Sequence, residues 1–214
     1  MRLFQSYALV VFICAVGLVA AAESPVRAEM MRMTIDPLTS TITATVDKPL
    51  SRMNGSVTGS FRIISGAVEG DPANPGAGAH VELTIDPTSY SSGLAHRDNT
   101  VLAKSLQTAI YSDIRFVGAR IEDVKIEAPG AMGAGVIDGN LTMHGETRAL
   151  RVPFEATLQP DHQAFFADGT VRFDYTEWGV APPSVMFGTL PAAKEVTIDF
   201  HIVARPAAAP SPAR

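Results

Sequence analysis

Residues 139–155 hold two stretches in which apolar and polar side chains alternate, separated by a short connection that begins with glycine. Leu141 and Met143 share one face of the first stretch, because successive side chains of a strand point to opposite sides. The apolar face of the second stretch is formed by Leu150, Val152 and Phe154. Two alternating runs joined through Gly145-Glu146-Thr147 predict a β-hairpin, with a loop of about three to five residues and one face of each strand buried.

The same alternation recurs along most of the chain. Together with the two hairpin strands it gives eight segments, the others being residues 40–47, 57–63, 81–86, 114–126, 165–175 and 196–203. The segment that starts at Ile114 changes phase before Ile121, and Asn54-Gly55 is a tight-turn signal ahead of residue 57. Eight short alternating strands without long helices between them predict an all-β sandwich or barrel.

One segment has helical rather than strand spacing. Between Asp98 and Tyr111 the apolar positions are Val101, Leu102, Leu106, Ala109 and Ile110. This spacing predicts one helix of two to three turns over an end of the sheet, with Asp98 or Asn99 as its cap. Glycine and proline in residues 69–79 and 129–135 predict loops, since both residues weaken strands.

The N-terminus has the features of an export signal. Arg2 precedes fifteen apolar residues, Ala8–Ala22, and small residues that suit cleavage follow at Ala22 or Ala28. The apolar run is shorter than the roughly 20 residues that span a bilayer. The expected organisation is a signal peptide at residues 1–28, a domain at 29–205 and a disordered Ala/Pro tail at 206–214, which places the protein in the periplasm.

Cleavage after Ala28 would remove the only cysteine and leave 15 basic and 21 acidic residues of the chain's 17 and 22. The exported domain then contains no thiol and no disulfide. A chain of this acidic balance without a basic stripe is a poor partner for nucleic acid or for anionic membrane surfaces.

Four motifs resemble the YceI family of bacterial periplasmic lipid-binding proteins. The longest is residues 139–153, with the pattern G-x-L-T-x-H-G-x-T-R-x-L-x-V-P. The other three lie in residues 57–68, which contain G-x-F followed by glycine, in residues 97–116, which contain R-D and I-x-F, and in residues 175–180, which contain T-x-W-G-V. The resemblance covers roughly residues 34–204.

This resemblance implies a lipocalin-like, extended antiparallel β-barrel of eight strands with one short helix over an end. It also implies a non-catalytic protein without a cofactor that holds an isoprenoid-type lipid, a quinone or a polyprenyl compound, in the barrel lumen. A barrel of about eight strands is wide enough for one small ligand. The sequence leaves the oligomeric state open, a homodimer included.

The apolar stripes supply the candidate ligand-binding residues, which are Phe61, Phe116, Leu141, Met143, Phe154, Phe173 and Phe200. The stripes suit a ligand channel and a packed core equally well, because both need one apolar face per strand. Arg97 is the polar candidate, either free to grip a head group beside Asp98 or bracing a helix that Asp98 caps. Trp178 is expected to plug the barrel base.

Two other functions remain open at this stage. An envelope protein-interaction module would have a closed core and use a loop such as residues 69–79. A metal-assisted hydrolase would centre on His144, although the five histidines are scattered and no close His pair suggests a metal site. A structural role for His144, with its ring hydrogen-bonded to the turn, is the simpler interpretation.

Overall fold

A computed structural model describes residues 30–48, 55–71, 78–122, 132–185 and 190–207. In these residues the strands are β1 Met31–Ile35, β2 Thr41–Lys48, β3 Gly55–Gly70, β4 His80–Ser91, β5 Ile114–Glu122, β6 Met132–Met143, β7 Glu146–Leu158, β8 Phe165–Asp174, β9 Ser184–Val185, β10 Leu190–Pro191 and β11 Glu195–Pro206. The helical segments are α1 Ala95–Thr100, a π-helical turn Val101–Ser105 and a 3-10 turn Tyr175–Trp178.

Nine of the strands form one antiparallel sheet that closes on itself, because β8 pairs with both β7 and β11. β1 and β2 share one position between β3 and β11, since β1 pairs with the last residues of β3 and β2 with its first. Residues 36–40 separate the two, and there the Asp36 carboxylate accepts a hydrogen bond from the backbone N of Leu38 (3.0 Å). Nine strands thus fill eight positions, which confirms the predicted eight-stranded antiparallel β-barrel.

The predicted hairpin is β6–β7, but its turn is shorter than expected. Met143 lies opposite Glu146, so Glu146 and Thr147 already belong to β7. His144 and Gly145 alone make the turn, with φ of 54° and 81°. Positive φ at both central residues is what the tightest hairpin turns require. The sequence did not indicate a two-residue turn, because a histidine occupies the first of these positions.

β6 begins earlier than predicted, since Met132–Gly135 belong to the strand and not to a loop. Gly133 and Gly135 are buried and lie opposite Ala156 and Phe154 of β7. The pairing of β6 with β7, which runs from Met132 to Met143, outweighs the weak preference of glycine for strands. The rest of that predicted loop lies outside the described residues, as does Asn54 of the predicted tight turn.

The helix also differs from the prediction. It starts at Ala95 instead of Asp98, so Asp98 lies inside it and neither Asp98 nor Asn99 is its cap. It continues as the π-helical turn and ends at Ser105, well before Tyr111. Gln107 then adopts a φ of 47°, which turns the chain, and Ile110 is exposed. We call Ala95–Ser105 the 95–105 helix.

The remaining strands largely follow the predicted pattern. β5 has a bulge between Gly118 and Arg120, which accounts for its change of phase, whereas β3 is longer than predicted and reaches Gly70. β11 extends to Pro206, one residue past the expected domain end, and residues 1–29 and 208–214 lie outside the described parts. In the described parts no helix is long and apolar enough to cross a lipid bilayer.

Candidate functional site: the barrel cavity

The inward faces of the strands enclose a cavity of about 1300 Å³. An apolar cavity of about 150 Å³ already binds benzene, so this one has room for a much longer molecule. All eight residues proposed from the sequence lie on its lining, namely Phe61, Arg97, Phe116, Leu141, Met143, Phe154, Phe173 and Phe200. The barrel brings them together from six strands and the 95–105 helix. Their contact with a ligand stays a prediction.

Glycines opposite aromatic rings help to keep the lumen open. A Cβ at Gly139 would lie 2.5 Å from Cζ of Phe116, and a Cβ at Gly169 would lie 2.4 Å from Cζ of Phe200. Each ring therefore takes up the wall space that a side chain on the neighbouring strand would fill. The rings lie against the wall, and the space along the barrel axis remains free. Sequence reasoning did not use this pairing because it depends on cross-strand register.

Strands β4, β6 and β8 run in the same direction, so the segments that follow them cover the same barrel end. After β8, Trp178 is 2% exposed, donates from Nε1 to the carbonyl O of Leu141 (2.9 Å) and meets the ring of Phe173 edge-on, with centroids 5.0 Å apart. Trp178 does not belong to the cavity lining. It packs there as the predicted plug.

Tyr175 completes this turn. Its hydroxyl donates to the carbonyl O of Ala193 (2.7 Å), and the residue is 6% exposed. Burial raises the pKa of Tyr175 to about 12. We call Tyr175–Trp178 the Trp178 turn.

The 95–105 helix covers the same end after β4 and is held to it through Ser92. Arg97 donates from Nε to Ser92 Oγ (2.7 Å) and from Nη2 to the Ser92 carbonyl O (2.9 Å). The Asp98 carboxylate accepts from the Ser92 hydroxyl and backbone N, and these bonds hold its pKa below the usual range. The guanidinium therefore braces the helix, which is the second of the two alternatives considered for Arg97, and the free fork toward a head group is not formed.

The polar residues of the lining are concentrated on this helix, which contributes His96, Arg97, Thr100, Lys104 and Ser105. The strands contribute mainly apolar side chains. Sequence reasoning missed Lys104, although it stands seven residues after Arg97 and thus on the same helical face. The opposite end of the cavity has Glu69 and Asp71, and the Glu69 carboxylate is ion-paired with Arg32.

The YceI-like domain family matches residues 33–204, most of the chain. The chain belongs to this family. A UPF0312 protein of Shewanella baltica strain OS185 is 31% identical over 152 residues, which cover 68% of the chain and 73% of that relative.

Solved structures share the same barrel. The crystal structure of Burkholderia cenocepacia BcnA superposes with a TM-score of 0.63 at 25% identity, covering 79% of the chain and 98% of BcnA. A polyisoprenoid-binding domain from Saccharophagus degradans gives a TM-score of 0.61 at 14% identity, covering 82% and 98%. A Campylobacter jejuni YceI protein gives 0.59 at 18% identity, covering 74% and 90%.

In this YceI-like barrel His144 lies outside the cavity lining. Its ring packs on Tyr111 with centroids 4.0 Å apart, and its Nε2 atom is buried without a hydrogen-bond partner. Within the described residues no group of three or more His, Cys, Asp or Glu side chains is placed to hold a metal ion. The ring packs within the turn, as a structural role predicts, but the expected hydrogen bond from its Nε2 atom to the turn is not formed.

Proposed function

We propose that this YceI-like protein is an exported, non-catalytic carrier that holds one isoprenoid-type lipid, a quinone or a polyprenyl compound, in its barrel. The observation that carries the proposal is the apolar cavity of about 1300 Å³. A ligand chain that buries about 300 Å² of apolar surface gains roughly 7 kcal/mol before the costs of association. Apolar contacts with the barrel wall are therefore sufficient to retain such a ligand without any charged contact.

The family supports this proposal. The Saccharophagus degradans domain with the same fold is described as polyisoprenoid-binding. Export to the periplasm rests on the sequence of residues 1–28. The interaction-module hypothesis required a closed core, and a cavity of this size argues against it.

The first test is solvent extraction of freshly purified protein, followed by mass spectrometry and by rebinding of the extracted lipid to delipidated protein. We expect a discrete long-chain lipid. In a cavity-filling variant, Ala167→Trp, the new ring would enter the lumen, because Ala167 is buried on the lining. This variant should stay folded and lose most of its lipid. The matched control is Ala149→Trp, since Ala149 is exposed on β7 and outside the lining.

Truncations of the lining provide the second test. Phe116→Ala and Phe154→Ala remove wall contacts, and each should weaken rebinding about tenfold, the loss expected from part of one aromatic burial. His144→Ala should change rebinding little, because His144 does not reach the cavity. If His144→Ala abolished lipid recovery while both Phe variants bound normally, the wall would not be the source of affinity. A lipid-free extract together with no rebinding would refute the carrier itself.

A further inference from the structure

The exposed part of the described cavity lining lies on the 95–105 helix. Among the described residues that line the cavity, His96 and Lys104 are the two that are exposed. Every other lining residue is buried or half-buried. We call the cavity-lining positions of the helix, His96, Arg97, Thr100, Lys104 and Ser105, the rim. A molecule whose tail fills the barrel and whose head stays hydrated would place its head at the rim.

The rim is cationic. Lys104 and Arg97 both line it, and in the described structure the Lys104 ammonium forms no ion pair or hydrogen bond. Among the carboxylates near this end, Asp113 pairs with Arg115, whereas Asp98 and Asp174 accept hydrogen bonds from Ser92 and Thr176 and keep their charge. Asp98 interacts electrostatically with Arg97 and offsets its charge, so the remaining positive charge of the rim is that of Lys104. None of these three carboxylates belongs to the described lining.

The far end of the cavity has no lysine or arginine among its described lining residues. It is lined by Glu69, which is paired with Arg32, by Asp71, which also takes part in an interaction, and by His162. An acidic head group is therefore favoured at the rim, where Lys104 lies. The position of this charge orients the ligand as well as binding it.

We propose that the rim is a binding site for an acidic head group, a phosphate or a carboxylate, on a long-chain lipid. This inference rests on the proposed carrier function and selects, within it, acidic lipids over neutral ones. Lys104 supplies the free positive charge. Arg97 stays on Ser92 beside the Asp98 carboxylate, which offsets its charge, so Lys104 is the residue whose removal changes selectivity. The tail lies along the apolar wall toward Glu69 and Asp71.

The test compares ligands with the same tail and different heads. Geranylgeranyl phosphate is set against geranylgeraniol, and palmitate against hexadecanol, in competition with a fluorescent lipid probe on delipidated protein. The phosphate pair and the carboxylate pair distinguish the two acidic chemistries. The variants are Lys104→Ala and Lys104→Glu. Lys194→Ala is the matched control, since Lys194 is an exposed lysine outside the lining.

We expect at least one acidic ligand to bind about tenfold more tightly than its neutral partner at low salt. Lys104→Ala should reduce that preference about fivefold, as for a partly exposed ion pair, and leave the neutral ligand within about twofold. Lys104→Glu should reverse the preference, and Lys194→Ala should keep it. Added salt should weaken the preference in the unmodified protein, because salt screens exposed charges.

Equal binding of acidic and neutral ligands by the unmodified protein would overturn this inference and leave the carrier function intact. So would an equal loss of both ligands in Lys104→Ala, which would indicate packing by the lysine stem instead of charge. If neither member of either pair bound, the carrier function itself would fail. The three results are distinguishable from one set of titrations.

Discussion

The Trp178 turn and the 95–105 helix cover the same end of the barrel but present different chemistry to its interior. The turn packs Tyr175 and Trp178, which are 6% and 2% exposed, against the strand ends. The helix instead turns His96 and Lys104 toward the cavity while both remain in contact with solvent. The turn therefore contributes buried apolar side chains at this end, and the helix contributes exposed polar ones.

This difference fits a division of tasks within the proposed lipid carrier. Apolar burial at the turn contributes stability that does not depend on a ligand. Polar side chains on a helix over an apolar cavity contribute little to folding stability, because they bury little apolar surface against the strands. Their position is instead suited to meeting the hydrated part of a ligand. Three variants test this division, from the largest expected effect to the smallest.

Trp178→Ala should lower the free energy of unfolding by about 3–5 kcal/mol, as expected for truncating a buried Trp. The variant loses the contact with Phe173 and the hydrogen bond to the Leu141 carbonyl. Urea denaturation measures the change, with Trp178→Phe as a control that restores part of the packing. A loss below about 1 kcal/mol would mean that the turn does not seal this end and that the contrast with the helix is wrong.

Ser92→Ala should loosen the helix by about 1–2 kcal/mol, the cost of removing the hydroxyl that donates to Asp98 and accepts from Nε of Arg97. The bonds of the Ser92 backbone to both residues remain. We expect faster amide exchange in residues 95–105 and faster lipid release, with a smaller change in global unfolding. Ser91→Ala is the matched control, because Ser91 is exposed at the end of β4. Unchanged exchange in the helix would show that Ser92 does not anchor it.

The same variant has a pH signature. Ser92 lowers the pKa of Asp98 from its usual 3.8, so this stabilisation is present above that value and is lost as pH falls through the lowered folded-state pKa. The difference between the unmodified protein and Ser92→Ala should therefore shrink in acid. A difference that grew on acidification would contradict the assignment.

Tyr175→Phe should give the smallest effect. Loss of the hydrogen bond to the Ala193 carbonyl lowers stability at every pH, and the pH-dependent part should appear only at high pH. The folded-state pKa of Tyr175 is raised to about 12, so the unfolded chain releases this proton first as pH rises above about 10. The contribution of Tyr175 is present below the unfolded pKa and is lost as pH rises through the folded pKa. The variant should thus lose less stability than the unmodified protein between pH 8 and pH 11. Identical pH profiles would contradict the burial of this hydroxyl in the turn.

Sequence periodicity predicted the barrel wall well. The alternation at Leu141, Met143 and Phe154 depends only on the two-residue period of a strand, so the inward face could be assigned without knowing the partners. The boundaries were less accurate. Gly133 and Gly135 were assigned to a loop, because the cost of glycine in a strand is local while the pairing with β7 that offsets it is distant in sequence.

The 95–105 helix shows a second limit of prediction from sequence. Arg97 was identified from a local motif, but its partner, Ser92, could be assigned only from the placement of the helix against the end of β4. Lys104 was not identified, since the function of a single lysine cannot be inferred before its surroundings are known.

By itself, the sequence determined the β architecture, the inward stripes and the family. Those features are encoded in short-range periodicity and in contiguous motifs that survive without long-range information. The tertiary structure decided that the stripes enclose a space instead of filling it, because Phe116 lies on Gly139 and Phe200 on Gly169 across strands. It also decided where the rim and its positive charge lie, since both depend on how strand register and helix placement bring distant residues together.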